Sequence, residues 1–355
     1  MQTKTQYKAD FTERDVANDL FNPYNVNARP FLKWAGGKGQ LLNKFQDLYP
    51  NGLKQNKINN FYESFLGSGA VFFDIVQKYE IEYAYLYDIN EELVLTYQVI
   101  QKDVSKLIDF MYRYEKNYLK LNKTQRQEFY YDQRTNYNLQ RFNIDYNKYS
   151  ENWFPRASQL IFLNKTCFNG LYTVNSKGEF NLPAGDYKNP TICDEQNLLA
   201  VSKVLQNAEI RKADFKEMIK DLKSNSFVYF DPPFRPISKT SNFKSYSKQG
   251  FEDNEQIQLA NLFKYLNEEG SSVMLSNSDP KNLNPNDNFF DEIYSDFNIF
   301  RVPARRMINS NASKRGTFFK KYLRLPLPVG LSVTSPHSVS LHCGLSTSIP
   351  HAKTA

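Results

Sequence analysis

Ser226-Phe227-Val228-Tyr229-Phe230-Asp231-Pro232-Pro233-Phe234 is the stretch on which the reading of the fold turns. A run rich in strand formers ends abruptly in an acid, two prolines and an aromatic ring. Such a run reads as a buried strand. Proline has no N–H for the ladder and fixes its own backbone, so Pro232 and Pro233 stop the strand. Asp231 and Phe234 then sit at the carboxyl end of a central strand, where open α/β sheets bind ligands. An acid, the fixed Pro232 carbonyl and a flat ring suit a planar heterocycle with an exocyclic amino group. Asp231 and the Pro232 carbonyl accept its two N–H bonds, and Phe234 stacks on its face. The plainer alternative is a Pro-Pro turn with Asp231 as a solvated cap, and the rest of the chain decides between the two.

Two glycine turns lie upstream. Residues 58–65 read as a strand, and Phe65-Leu66-Gly67-Ser68-Gly69 leads directly into an apolar helix over 70–76. A second strand over 83–87 ends at Asp88, 19 residues after Gly69. Glycines in a tight turn and an acid about 20 residues on form the nucleotide-binding βαβ arrangement, with the acid on ribose hydroxyls. Phe72 stands where a dinucleotide fingerprint has its third glycine. No pyrophosphate cradle is evident, which argues against NAD and leaves a nucleoside-bearing cofactor without a diphosphate. The earlier turn, Trp34-Ala35-Gly36-Gly37-Lys38-Gly39, precedes a helix over 40–45. A glycine turn opening a helix favours an anionic group, and Lys38 adds a charge. The spacing is not that of a Walker loop.

Residues 91–120 are helical in pattern. From 121 to 153 the chain is polar and the α/β alternation stops, which marks an inserted unit. The stretch from Asn164 to Pro183 carries turn signals at Asn169-Gly170 and Ser176-Lys177-Gly178, so it reads as a β-hairpin or a pair of loops. Lys165, Phe168, Asn169, Leu171, Thr173 and Lys177 mix cations, rings and small groups there, suiting phosphate contact and base readout. A surface hairpin without a ligand is the alternative. The alternation resumes with a strand over 208–213 ending at Asp214, a second strand-end acid able to meet a nucleobase or cofactor edge. Beyond Phe234 a long loop over 235–251 carries Arg235, Lys239, Lys244 and Lys248, which suits a phosphate backbone. A helix is expected over 255–268 and a strand over 271–276. Arg301, Arg305, Arg306, Lys314 and Arg315 form a second basic candidate.

Composition sets the class. A chain of 355 residues is expected to hold two units. Its net charge of +7 suggests a polyanionic partner. The cysteines, Cys167, Cys193 and Cys343, have neither CxxC nor metal-ligand spacing, so a reducing cytoplasm and no metal are expected. No apolar stretch approaches about 18 residues, which points away from a membrane. The histidines, His337, His342 and His351, all fall within 326–355, a segment with no acid. That removes His-based hydrolase and transferase mechanisms from the folded part.

Taken together, Phe31-Leu32-Lys33-Trp34-Ala35-Gly36-Gly37-Lys38, Phe65-Leu66-Gly67-Ser68-Gly69 and Asp231-Pro232-Pro233-Phe234, in that order, resemble the Dam-type DNA adenine-N6 methyltransferases. The segment from Asn164 to Gly185 resembles that family's target-recognition segment. The resemblance covers about 30–316. It implies an α/β fold, a Rossmann-like S-adenosylmethionine methyltransferase sheet of seven strands with an inserted, mostly helical target-recognition domain. The corresponding division is a leader over 1–29, catalytic parts over 30–100 and 201–325, a recognition domain over 101–200, and a disordered or aberrant tail over 326–355. Implied too are S-adenosylmethionine as cofactor, double-stranded DNA as partner, and a cognate restriction endonuclease beside it. Trp34, Lys38, Asp88 and Asp231 are the cofactor-binding positions so implied; Gly67 and Gly69 join them from the glycine-turn reading and Asp214 from the strand-end reading. The catalytic positions are Asp231, Pro232 and Phe234. The DNA-binding positions are Lys165, Phe168, Asn169, Leu171, Thr173, Lys177, Arg235 and Lys239.

Adenine N6 is buried in a duplex, so the base must be flipped out. Two departures from the family pattern matter. Phe234 replaces a tyrosine and keeps the stacking face. Thr173 stands where GATC-specific relatives carry a guanine-reading arginine, which puts the target in doubt; a short adenine-containing site is expected, with GATC the favoured one. Cytosine N4 as the methylated amine, and a DNA-binding module without catalysis, stay open. The family's short final strand is expected to be absent or imitated by residues 318–325.

Overall fold

The computed structural model describes residues 27–235, 251–282, 284–305 and 318–325. Short helices α1 (Leu42–Phe45) and α2 (Asn51–Lys54) follow the first glycine turn and lead to β1 (Asn60–Glu63), α3 (Ala70–Val76) and β2 (Tyr83–Asp88). Helices α4 (Glu91–Leu119), α5 (Lys123–Gln140), α6 (Trp153–Thr166) and α7 (Glu195–Leu205) stand between β2 and β3 (Ala208–Lys212). Then come β4 (Ser226–Phe230), α8 (Asp253–Glu268), β5 (Ser272–Ser278), α9 (Phe289–Ile293), β6 (Asn298–Arg305) and β7 (Phe318–Leu325).

The strands form one sheet in the order β3-β2-β1-β4-β5-β7-β6. β3, β2, β1, β4 and β5 run parallel, whereas β7 is antiparallel to both β5 and β6. The chain leaves β1 towards β2 and β3, then returns to the other side as β4. That reversal is a topological switch point, and open α/β sheets take their ligands in a crevice beyond the carboxyl ends of the strands flanking such a point, here β1 and β4. This is the Rossmann-like α/β sheet expected. Residues 318–325 do form a strand, seated between β5 and β6.

Every residue of β4 is buried, as a central strand covered on both faces must be. Phe227 and Tyr229 join Phe61 and the apolar sides of α3, α4, α6 and α7. Val228 and Phe230 join Tyr62, α8 and α9 on the opposite face. Alternation along the strand thus sends side chains to two separate cores.

Asn90 caps α4, its side chain accepting from the Glu92 and Leu93 N–H groups. The helix bends at Asp103, whose φ of −155° and ψ of 80° are not helical. Gln98 and Gln101 tie its first half to β3 through the Ile210 and Ala208 carbonyls. The second half packs with α6, which is buried on nearly every side. Arg156 within α6 pairs both its Nε and Nη2 with Glu92 and lies 3.5 Å from the centre of the Tyr137 ring. Removing one partner of such a buried pair costs roughly 3–5 kcal/mol, so this contact locks α6 to the start of α4. The polar stretch after 121 is mostly helix α5, opened by a capping box between Asn122 and Gln125.

Residues 1–26 and 326–355 lie outside the described residues. Ala28 and Arg29 are already tied in, through Gln77 and through Asn197 and Asp194 respectively.

Candidate active site

β4 delivers Asp231 to the crevice. One carboxylate oxygen, Oδ2, pairs with Lys38 Nζ. The Lys38 ammonium is buried and also donates to the Gly36 carbonyl at 2.7 Å. The other oxygen, Oδ1, accepts from Ser276 Oγ at 3.2 Å, and the Tyr229 hydroxyl lies 2.7 Å from that same Oγ. Burial holds the Tyr229 phenol well above its ordinary pKa, so it stays a neutral donor behind Ser276. The Asp231 carboxylate is therefore fixed from two sides by groups on the first glycine turn and on β5.

Phe234 stands beside it, 41% exposed, with Lys38 Nζ 5.7 Å from its ring centre. A large, partly exposed ring next to a fixed carboxylate suits stacking on a planar ligand. Gln256 on α8 donates to the Pro233 carbonyl at 3.1 Å and pins the corner from outside.

The second glycine turn joins the crevice from β1. Gly67 and Gly69 have φ of 49° and 67°, a region that L side chains rarely adopt. A Cβ on Gly67 would lie 3.0 Å from Trp34 Cδ1, and one on Gly69 would lie 2.7 Å from the Tyr97 hydroxyl. Asp88 at the end of β2 accepts from Gly67 N–H at 3.0 Å and from Asn90 N–H at 2.9 Å. Burial raises its pKa, and those backbone donors oppose the rise. Turn and acid are thus bonded into one piece. Trp34 lies over Gly67 and stacks on Tyr172, ring centres 5.0 Å apart and planes 12° from parallel.

Sequence reasoning passed over Glu63. Its buried carboxyl closes β1 and accepts from Phe72 N–H at 3.0 Å. Burial, and next the charge of Asp231, push its pKa well above the carboxylate range. The signal in the sequence was a lone acid at the end of a strand just before a glycine turn.

The remaining site candidates fall in several places. Asp214 caps the turn over 215–221, accepting from Lys216 N–H at 3.0 Å. The segment after α6 forms a small hairpin closed by the Val174 and Phe180 bridge. Phe168 is exposed at its base, Asn169 has a φ of 62°, Leu171 is half-buried, and Lys177 is exposed at the tip. Thr173 Oγ1 donates to Asn181 Oδ1 at 2.6 Å. Lys165 ends α6 partly buried, and burial lowers its pKa. Arg235 is held by Asp253 and Asp287 and lies over the Phe289 ring, so it anchors the corner to α8 and α9. Arg301 pairs with Asp279 and Asp291. Lys239, Lys244, Lys248, Arg306, Lys314 and Arg315 lie outside the described residues. Among the described residues, no cluster of His, Cys, Asp and Glu could hold a metal ion, and no helix is long and apolar enough to cross a membrane.

Known proteins share this arrangement of sequence. The family model for D12 class N6 adenine-specific DNA methyltransferases matches residues 34–308. The Type II methyltransferase M.MjaIII of Methanocaldococcus jannaschii is 46% identical over 290 residues, covering 82% of this chain and 96% of that protein. The Type II methyltransferase M1.LlaDCHI of Lactococcus lactis subsp. cremoris is 37% identical, covering 84% of this chain and 95% of its own length. The DNA adenine methylase of Haemophilus influenzae is 32% identical, covering 81% and 90%. A match that runs from Trp34 through both glycine turns and past the Asp231 corner leaves one conclusion: the chain belongs to the D12 class N6 adenine-specific DNA methyltransferases.

Proposed function

We propose that the chain methylates N6 of an adenine in a short duplex site, using S-adenosylmethionine and a base flipped out of the stack. The observation that carries this reading is the corner at the end of β4. There a carboxylate fixed by Lys38 and Ser276 stands beside the partly exposed ring of Phe234. Asp231 and the Pro232 carbonyl accept the two hydrogens of the amino group, and Phe234 stacks on the extruded base. Accepting those hydrogens favours a pyramidal nitrogen with an exposed lone pair. The methylated nitrogen then sheds a proton, and Asp231 is the adjacent base. Fixing the nitrogen in line is mainly a matter of proximity and orientation.

The cofactor fits the residues present. Gly67 and Gly69 take conformations that keep a Cβ out of the turn, and Asp88 is the acid at the end of β2 for ribose hydroxyls. Trp34 supplies a ring and Lys38 a cation to the same crevice, and Asp214 is a further candidate for the base edge. S-adenosylmethionine would supply an electrophilic methyl on sulfur.

DNA lies across the hairpin, with Lys165 and Lys177 for phosphates and Phe168, Asn169, Leu171 and Thr173 towards the grooves. We place the recognition unit at 101–200 and the protein in the cytoplasm. Two relatives bear the name Type II methyltransferase, which supports a cognate restriction endonuclease as its counterpart. GATC is the first target to assay. Incubation with methyl-labelled S-adenosylmethionine and duplexes containing GATC or scrambled sites tests the reading. Label entering DNA is expected; DNA binding without transfer would leave a non-catalytic module instead.

A further inference from the structure

We infer that Asn164 is a positioning residue that couples the DNA-facing hairpin to the cofactor loop. Its side chain is buried at the end of α6, where the chain turns into the hairpin. The Asn164 amide grips the backbone of Lys33 twice. Its Oδ1 accepts from Lys33 N–H at 2.9 Å, and its Nδ2 donates to the Lys33 carbonyl at 2.9 Å. The same Nδ2 lies 3.3 Å from the Gly170 carbonyl in the hairpin base. One amide therefore joins the residue before Trp34 to the residue before Leu171. The two segments touch so closely that a Cβ on Gly170 would lie 2.6 Å from Lys33 Cδ.

Tyr172 makes a second connection, two residues further along, by stacking on Trp34. On its other side the loop leans on the crevice, through Trp34 over Gly67 and Lys38 on Asp231. A shift of the hairpin on a duplex is thus passed to Trp34 and Lys38 through one doubly bonded amide and one ring pair. Resting on the S-adenosylmethionine reading above, this makes duplex and cofactor bind cooperatively. Because coupling of two binding equilibria is reciprocal, the same factor appears in either order of addition. Asn164 itself contacts neither the reacting base nor the methyl donor in this account; it acts through Lys33 and Gly170.

The test is calorimetric. S-adenosylhomocysteine is titrated into wild type, Asn164→Ala, Tyr172→Leu and Tyr172→Phe, with and without a saturating target duplex. In wild type the duplex tightens that binding by about 5- to 150-fold, the usual range for coupled sites. Tyr172→Phe, which keeps the ring pair, retains the factor. In Asn164→Ala and Tyr172→Leu it falls to within about 2-fold of unity, while each ligand still binds alone. A residue that only supports the fold would lower the melting temperature and leave the ratio alone. An unchanged ratio in a folded variant overturns the proposal, and so does a wild type that shows no coupling. Should Asn164→Ala not fold, the Tyr172 pair of variants decides. A wild type that binds no S-adenosylhomocysteine at all refutes the cofactor reading rather than the coupling.

Discussion

Replacing Asp231 by asparagine separates two effects that the corner assigns to one carboxylate. The variant keeps its size and an acceptor for Ser276 Oγ, 3.2 Å away. It removes the anion paired with Lys38, an ammonium 2% exposed whose other partner is the Gly36 carbonyl at 2.7 Å. Breaking a fully buried pair from one side costs roughly 3–5 kcal/mol. Here the Asp231 side chain is 17% exposed and the bond to Gly36 survives, so about 2 kcal/mol is expected. In a chain of this size that lowers the melting temperature by a few degrees. The chemical effect is larger. An acceptor aimed at a nitrogen that turns positive in the transition state is the counterpart of an oxyanion-hole donor. Removing one such donor costs about 10²–10³ in kcat. Asp231 has no place on the DNA backbone in this account, so duplex affinity should barely change. Single-turnover methyl transfer, thermal melting and fluorescence anisotropy read the three quantities separately. If the variant keeps more than a few per cent of the wild-type rate, a barrier change under about 2 kcal/mol, the role given to Asp231 is wrong.

Three further outcomes are expected. Ser276→Ala should lower kcat about 10-fold and leave both KM values in place, because it loosens one bond to a charged group; a shifted KM with unchanged kcat would contradict that. Glu63→Gln keeps an acceptor for Phe72 N–H and removes a carboxyl whose folded-state pKa is raised. Above the ordinary glutamate value of 4.5 the unfolded chain ionises Glu63 first, so wild-type stability falls as pH rises towards the folded pKa. The variant should therefore melt with wild type near about pH 4 and above it near about pH 8, and equal melting at both would refute the assignment. Thr173→Arg, assayed on duplexes that differ at one base, should add roughly 1–3 kcal/mol of preference for guanine at the base it reaches; no gain would mean that position 173 does not face the bases.

The parts of the fold legible in the sequence are those with strictly local causes. The β4 run is stopped by its own prolines. Gly67 and Gly69 announce a turn that admits no Cβ, and Asp88 follows at the right distance. Less legible was whatever depends on partners far along the chain. Glu63 is explained by an N–H nine residues away. Arg235 reads as a cation for DNA, yet its partners are Asp253 and Asp287, 18 and 52 residues on. Helix α5 hides in a polar stretch because its buried face rests on Tyr130 and Tyr137. Phe318–Leu325 could not be judged from composition, since a strand there depends on the open edges of β5 and β6.

The most direct measurement is the identity of the modified nucleoside. Duplex DNA incubated with the wild-type chain and S-adenosylmethionine is digested to nucleosides and resolved by mass spectrometry. N6-methyladenine is the product expected of a D12 class chain that carries the Asp231 corner, Phe234 and both glycine turns. N4-methylcytosine in its place, or unmodified nucleosides from DNA that the chain demonstrably binds, would contradict the account.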